Sequence, residues 1–127
     1  MATSPLPLAP GGFPPHTWGP QMWHVIHTVA AAFPLHPTPR DRDNVVRFYR
    51  GLGRVLPCAE CAADYSALIA SGRLRLETRT AADRMTLFSW TVAVHDAVNA
   101  KLGKPVVGAD LLGVYARYDA LRYEPPE

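Results

Sequence analysis

The sequence predicts an all-α fold: a four-helix bundle with a short fifth helix. In four long segments, apolar residues recur with a spacing of about 3.6 residues, which is typical of amphipathic helices. Prolines and glycines separate these segments and leave room only for short connections. No segment alternates apolar and polar residues between turn signals, so no sheet is predicted. With 127 residues, 48% of them hydrophobic, the chain suits one folded domain.

The first three helices are bounded by proline. The first is predicted over residues 18–33, because Pro34 cannot continue it. The second covers residues 41–55. The third is predicted over residues 57–70, with Pro57 in its first turn, where the missing N–H is not needed. This third helix would carry both cysteines of the chain.

The fourth helix is the longest that the pattern predicts. A capping segment at residues 80–83 follows a short polar connector at residues 73–79, and the helix runs to about Leu102. Gly103 and Pro105 then end it. A short fifth helix is predicted over residues 109–120. The domain therefore spans residues 16–120, between a flexible Pro/Gly-rich leader (1–15) and a flexible tail (121–127).

Composition argues against two classes of partner. The formal net charge of +2 is too small to indicate nucleic acid binding. No apolar run approaches the ~20 residues that a membrane-spanning helix needs. The leader has no basic side chain, so it lacks the features of a signal or transit peptide. We expect neither nucleic acid nor membrane as a partner.

The strongest chemical motif is Cys58-Ala59-Glu60-Cys61, which contains the only two cysteines of the chain. Two close cysteines indicate redox chemistry or half of a metal site. A helix N-terminus stabilises negative charge, which favours a reactive thiolate there. A thioredoxin-type site would need a preceding strand, and the pattern shows none. A zinc site could combine the pair with His24 and His27, which would make the protein a helical interaction module without turnover.

Other chemistry-bearing residues occur at helical spacing. Trp23 and His27 are four residues apart, so they share a helix face and can form one wall of a ligand site. The same spacing relates His95 and Asn99. The only two lysines, Lys101 and Lys104, follow at once. Positive charge there would suit a pyrophosphate. The zinc hypothesis does not explain the presence of Trp23, His95, Asn99 and the two lysines.

These residues stand in four blocks that resemble the Erv/ALR family of FAD-linked sulfhydryl oxidases, over about residues 18–118. The blocks are residues 18–23 (WGPQMW) with His27-Thr28 and residues 31–34, residues 56–62 (LPCAECA), residues 88–99, which end in HDAVN, and residues 101–105 (KLGKP). The resemblance implies a helical bundle that holds FAD at one end. It implies no resident metal.

The resemblance also implies roles for individual residues. A substrate thiolate would attack Cys58, and Cys61 would pass the electron pair to the flavin. Oxygen would then be the electron acceptor and hydrogen peroxide the product. Ten residues would contact FAD: Trp18, Gly19, Trp23, His27, His95, Val98, Asn99, Lys101, Lys104 and Tyr115. An aromatic residue near the last helix would lie against the adenine, and Tyr118 is the alternative to Tyr115.

The chain departs from the family pattern in two respects. Asp96 stands where the family usually has Asn, and we expect its carboxylate to face solvent or a basic partner. The chain also has no shuttle cysteine pair and no structural disulfide, which would lie near Ser71 and Val92. Protein dithiol substrates, or a thioredoxin-like redox partner, would therefore reach Cys58 directly.

The resemblance implies an assembly and a setting as well. Family members form homodimers through their first two helices, so we expect a homodimer here. Compact members without a shuttle pair resemble those of large DNA viruses, which predicts the host cytoplasm or the virion. The mitochondrial intermembrane space is the second choice.

Overall fold

The computed structural model describes residues 12–124 and confirms the all-α prediction. Within these residues there is no strand, and the only β-type pairing is an isolated antiparallel bridge between Gly12 and Cys58. Five α-helices form the domain, and the fifth is the shortest. They are α1 (Gly19–Ala31), α2 (Pro39–Val55), α3 (Ala59–Ala70), α4 (Arg84–Lys101) and α5 (Leu111–Asp119).

Side-chain caps set where the helices begin. Thr38 and Asp41 form a capping box, in which each side chain accepts a hydrogen bond from the backbone N–H of the other. This places the start of α2 at Pro39, two residues before the predicted start. Asp83 caps α4 by accepting from the backbone N–H of Thr86 at 2.8 Å. Part of the predicted capping segment instead forms a 3-10 turn, Thr78–Ala81.

The core lies between the helices, where α1 packs on α4 and α2 packs on α3. Buried aromatic residues occupy its centre, and three of them end in a hydrogen bond to a backbone carbonyl. Tyr49 donates to Ile26 O at 2.7 Å, Tyr65 to Tyr49 O at 2.5 Å, and Trp90 Nε1 to Leu74 O at 2.9 Å. Each buried polar tip therefore has a partner, as burial requires.

The predicted polar connector at residues 73–79 contributes to this core. Leu74 and Leu76 are both buried. The segment consists of the end of one 3-10 turn, an irregular link at residues 75–77 and the start of a second 3-10 turn. None of these has a 3.6-residue period, so the sequence pattern did not reveal the buried side.

The described ends of the chain are attached to the bundle. Residues 12–15, which the sequence assigned to the flexible leader, lie beside α3, with Phe13 N–H donating to Pro57 O at 2.7 Å. At the other end, the Arg122 guanidinium donates to Asp119 and to the carbonyl of Ala31. The rest of the predicted leader (1–11) and tail (125–127) lies outside the described residues. Of the helices in residues 12–124, none is both long and apolar enough to span a bilayer.

Candidate functional site

The cysteine pair lies at the very start of α3. Cys58 has extended backbone geometry and is the N-cap residue, so the helix begins at Ala59 and not at Pro57 as predicted. The reason is that the Pro57 carbonyl and Cys58 pair with the chain at Gly12 and Phe13, which keeps both out of the helix. The Cys58 sulfur accepts a hydrogen bond from the Cys61 backbone N–H at 3.2 Å. The start of α3 therefore offers the Cys58 sulfur a hydrogen-bond donor.

The two sulfurs are free thiols in this structure. Burial, then the hydrogen bond with Cys58, then the nearby charges of Cys58, Glu60 and Asp64 raise the pKa of Cys61 to about 11. At neutral pH, Cys61 therefore keeps its proton unless a further group stabilises its thiolate. The two cysteines are thus unequal: Cys58 faces the helix dipole, while Cys61 lies one turn further on among acidic neighbours.

Trp18 is hydrogen-bonded to the N-terminal segment, which pairs with the chain at Pro57 and Cys58. The Trp18 indole N–H donates to the carbonyl of Phe13 at 3.1 Å, and Phe13 in turn holds Pro57. Phe13 itself is 63% exposed. The first helix and the cysteine pair therefore meet at the same end of the bundle. In this structure Trp18 positions the N-terminal segment, and its contact with FAD stays a prediction, as does that of the half-buried Gly19.

The two predicted histidines meet between α1 and α4. His27 is only 2% exposed, and its Nε2 lies 2.8 Å from Nδ1 of His95. Its other nitrogen, Nδ1, lies 3.0 Å from Thr91 Oγ1. Trp23 stacks on the His95 ring with centroids 3.9 Å apart and planes 7° from parallel. The structure thus brings three of the predicted cofactor residues into one aromatic group.

Both imidazoles are neutral at physiological pH. Burial first, then the charges of His95 and His24, lower the pKa of His27 to about 3. Burial is also the main cause that lowers the pKa of His95, where Lys104 adds to the effect and Asp96 opposes it. Since neutral imidazole has one N–H and one lone pair on nitrogen, each ring can both donate and accept here.

A cavity of about 330 Å³ opens beside this aromatic group, between α1, α4 and α5. Its lining is mostly apolar, with three imidazoles and one guanidinium. The residues that line it are His24, His27, His95, Val107, Val114, Arg117, Tyr118 and Leu121. Tyr118 also lies close to the ring of His27, with centroids 5.5 Å apart. A concave, aromatic and mainly apolar site of this size is typical of ligand pockets.

Tyr115, the predicted adenine contact, points elsewhere. Its ring packs edge-on against Phe88, and its hydroxyl accepts hydrogen bonds from Arg84 and Arg122. It is not among the residues that line the cavity, whereas Tyr118 is. Of the two aromatic residues that the sequence offered on the last helix, the geometry therefore favours Tyr118.

The end of α4 orients the two lysines. Gly103 has a φ of 71°, which lets the Lys104 N–H turn back to the Asn99 carbonyl at 2.8 Å. The Asn99 side chain is buried and donates to Pro105 O at 3.1 Å, while Val98 is half-buried. Asn99 therefore holds the turn through its amide N–H. Its predicted contact with FAD and that of Val98 stay predictions.

The lysines themselves are exposed. Lys101 Nζ lies 2.8 Å from the Asp64 carboxylate, which joins the end of α4 to the second turn of the cysteine-bearing α3. Both side chains of this pair are largely solvent-accessible, 62% and 45%, so the contact is readily exchanged for another anion. The positive charge that a pyrophosphate requires is therefore present at the same end of the bundle as the cysteines.

Asp96 behaves differently from the prediction. Its carboxylate faces neither a basic partner nor open solvent, but accepts from the backbone N–H groups of Val107 at 2.6 Å and Gly108 at 3.1 Å. A side chain at Gly108 would collide with this carboxylate, since an added Cβ would lie 2.4 Å from Oδ2. The carboxylate is thus hydrogen-bonded by backbone N–H groups, which compensates for its partial burial.

His27 is not available as the zinc ligand that the zinc hypothesis required. Both ring nitrogens of His27 are engaged, one with Thr91 and the other with His95. Within residues 12–124, no group of three or more His, Cys, Asp or Glu side chains is arranged to hold a metal ion. The pair of cysteines and the pair of histidines therefore do not form the four-ligand set that the hypothesis required.

The donor set at this end of the bundle fits FAD. Of the predicted FAD contacts, only His27 and His95 line the cavity, together with Tyr118, the alternative to Tyr115. Trp23 lies beside them, stacked on His95, so flat aromatic faces and neutral imidazoles for ring stacking and hydrogen bonding are present. Arg117 at the cavity, and Lys101 and Lys104 at the end of α4, carry the positive charge that phosphates require.

The residues of this site that sequence reasoning missed include Thr91 and Arg117. Thr91 lies four residues before His95, so helical spacing could have placed it on the same face. Arg117 lies next to Tyr118, and nothing in its local pattern distinguished it from a solvated arginine.

Comparison with known proteins agrees with this geometry. The model of the Erv1 / Alr family matches residues 20–119. A putative FAD-linked sulfhydryl oxidase of invertebrate iridescent virus 3 is 36% identical over 107 residues, which cover 82% of this chain and 67% of that protein. The corresponding protein of invertebrate iridescent virus 6 is 30% identical, over 73% of this chain and 86% of its own length. The crystal structure of the yeast Erv1 core superposes with a TM-score of 0.73, at 24% identity, over 96% of both chains.

Proposed function

The chain belongs to the Erv1 / Alr family, and on that premise we propose that it is an FAD-linked sulfhydryl oxidase whose redox pair is Cys58 and Cys61. The observation that carries this proposal is the convergence at one end of the bundle. There the cysteines cap α3, Lys101 at the end of α4 contacts α3, and Trp23 stacks on His95 of α4. Redox sulfurs, aromatic faces and cationic side chains therefore lie within one region.

The two cysteines have different tasks in the proposed reaction. In the oxidised enzyme they form a disulfide, and a substrate thiolate attacks the sulfur of Cys58. The bond between the two cysteines breaks, Cys61 leaves as a thiolate, and a second substrate thiol resolves the mixed disulfide. The substrate is left with a disulfide and the enzyme with two thiols. FAD, when bound, supplies two-electron chemistry between this dithiol and molecular oxygen.

The geometry of the pair favours the second step of this order, in which Cys58 leaves. Its sulfur accepts the Cys61 backbone N–H and lies at the start of α3, where a helix end attracts negative charge. Cys61 has a raised pKa, so its thiolate needs a stabilising neighbour before it can donate electrons. An oxidised flavin is electron-poor and suits that role.

The remaining side chains of the site hold and orient the cofactor. Trp23, His95 and Tyr118 would contact its rings, and His27 would support His95 from behind. Lys101, Lys104 and Arg117 would neutralise its phosphates. Asp96 and Asn99 would fix the loop after α4, on which Lys104 stands.

Protein dithiols or a thioredoxin-like protein are the proposed substrates, and a homodimer is the proposed assembly. Exposed apolar residues on the first two helices support the dimer: Val25 on α1 is 44% exposed and Phe48 on α2 is 37% exposed. Since the iridescent virus proteins match over most of the chain, we also propose a viral setting, in the host cytoplasm or the virion.

Oxygen uptake tests the proposal. Purified protein with stoichiometric FAD should consume oxygen when a reduced dithiol is added and should release one hydrogen peroxide per disulfide formed. The Cys58→Ser variant should bind FAD equally and consume no oxygen with a protein dithiol. Flavin-free protein with no turnover, or a Cys58→Ser variant as active as the parent, would contradict the proposal.

A further inference from the structure

The Thr91 hydroxyl lies at the inner end of a hydrogen-bonded series that runs outward through His27 to His95. Thr91 is completely buried, and its Oγ1 lies 2.7 Å from the carbonyl of Phe88 and 3.0 Å from Nδ1 of His27. A carbonyl can only accept, so the single hydroxyl proton of Thr91 is donated to Phe88. The hydroxyl therefore has only lone pairs left for His27.

This fixes the proton positions on both rings. Nδ1 of His27 must carry the hydrogen that Thr91 accepts, and because His27 is neutral, its Nε2 is left without one. That nitrogen then accepts from Nδ1–H of His95 at 2.8 Å. His95 is neutral too, so its own Nε2 is a bare acceptor.

The outer nitrogen, Nε2 of His95, has no partner among the described residues. Within residues 12–124, Nε2 of His95 makes no hydrogen bond, and the residue lines the cavity beside α5. Trp23 stacks flat on the ring and prevents it from turning, so the direction of the acceptor is fixed as well.

We propose that Thr91 is a positioning residue that sets the direction of this hydrogen-bonded series, so that His95 offers an acceptor and not a donor to the FAD site. The inference rests on the proposed function, because it assigns FAD to this cavity. It requires a donor on the cofactor, and FAD has such groups in its ribose hydroxyls and its adenine amino group. A ligand that offers only acceptors at this point would be disfavoured.

Replacing Thr91 by Val tests the inference, because Val keeps the shape and removes the acceptor for His27. The proton of His27 should then move to Nε2, and His95 should become a donor at its own Nε2. FAD binding should weaken about tenfold, which corresponds to the loss of one hydrogen bond. The matched control, Thr91→Ser, keeps the hydroxyl and should keep both the proton positions and the FAD affinity.

The proton positions are read by nitrogen NMR on the ¹⁵N-histidine protein, with and without FAD, and FAD affinity by titration of the protein freed of flavin. Nδ1–H on both rings in the parent and the Ser variant, with reversal in the Val variant, is the expected result. Nε2–H on His27 of the parent, or no change of either ring in Thr91→Val, would overturn the inference. So would unchanged FAD affinity despite reversal. A parent that binds no FAD would contradict the proposed function, while the NMR pattern would still decide the proton positions.

Discussion

Two groups of buried aromatic residues share the bundle and use their polar atoms differently. Between α2, α3 and α4, the tips of Tyr49, Tyr65 and Trp90 each donate to a backbone carbonyl. Between α1, α4 and α5, His27 and His95 bond to each other, and one nitrogen is left over at a cavity.

The comparison separates stability from function. A side chain that donates its polar hydrogen to a backbone carbonyl joins two elements of the fold. It then has no free donor for a ligand. A series that ends in an unused acceptor at a cavity is poised for a ligand. Changes in the first group should lower the free energy of unfolding, and changes in the second should affect cofactor binding.

The largest effect on turnover is expected outside both groups, at the redox pair. Cys61→Ser should reduce dithiol-dependent oxygen uptake to the background rate, because its sulfur is the proposed electron donor to the flavin. Flavin content and melting temperature should match the parent, since the side chain changes little in volume. Oxygen uptake, visible absorption and thermal melting on one preparation check this. Native turnover in the variant would refute the assigned role.

The largest effect on stability is expected at Tyr49. Tyr49→Ala should lower the free energy of unfolding by about 3–5 kcal/mol, the usual cost of emptying a buried aromatic site. Tyr49→Phe, which loses only the hydrogen bond to Ile26 O, should cost about 1–3 kcal/mol. Urea denaturation measures both. A Tyr49→Ala protein as stable as the parent would break the distinction between the two groups.

A smaller effect is expected from pH. The pKa of His27 is lowered to about 3 in the fold, so the unfolded chain binds the proton more readily. Stability should therefore be complete above about pH 6.5 and fall as the pH falls, by at most about 1.4 kcal/mol per pH unit from this residue. Denaturation of the parent and of His27→Gln between pH 7 and 5, above the range where carboxylates titrate, isolates the contribution. Equal slopes would show that His27 is not responsible.

The smallest effect is expected at the ion pair of Lys101 and Asp64. Both side chains are well exposed, so Asp64→Asn should change the free energy of unfolding by less than about 1 kcal/mol. Because Lys101 is then free for phosphate, FAD should bind as tightly as in the parent or tighter. Flavin titration at low and moderate salt measures this. Weaker FAD binding in Asp64→Asn would place Lys101 outside the phosphate site.

The local spacing of apolar residues predicted the helices. It failed where the structure of a segment depends on contacts with distant parts of the chain. The period of α4 was visible in the sequence, but the departure of Cys58 from α3 depends on its pairing with Gly12, which no local pattern reveals. The buried Leu74 ends a 3-10 turn and the buried Leu76 lies in the irregular link after it, so neither belongs to a segment with a helical period.

The resemblance to the family predicted a set of site residues, and several of them lie together in the fold, but it did not specify their contacts. Trp23, His27 and His95 do meet, although His27 and His95 are 68 residues apart in the chain. Tyr115 binds Arg122 and does not line the cavity, whereas Tyr118 does. The two residues are three apart and are neighbours on the helix surface, so the sequence did not distinguish them. Asp96 accepts hydrogen bonds from backbone amides of the loop after α4, and residue spacing in the sequence does not predict the conformation of that loop.

The central claim is that the Cys58–Cys61 pair passes electrons from a dithiol to a bound flavin. The most direct measurement is an anaerobic titration of the FAD-loaded protein with dithiothreitol, followed by visible absorption. The account predicts that one equivalent of dithiol beyond that needed to reduce the cysteine pair bleaches the flavin band, and that Cys61→Ser keeps its band under the same conditions. Equal bleaching in the parent and in Cys61→Ser would contradict the account, because electrons would then reach the flavin without the pair.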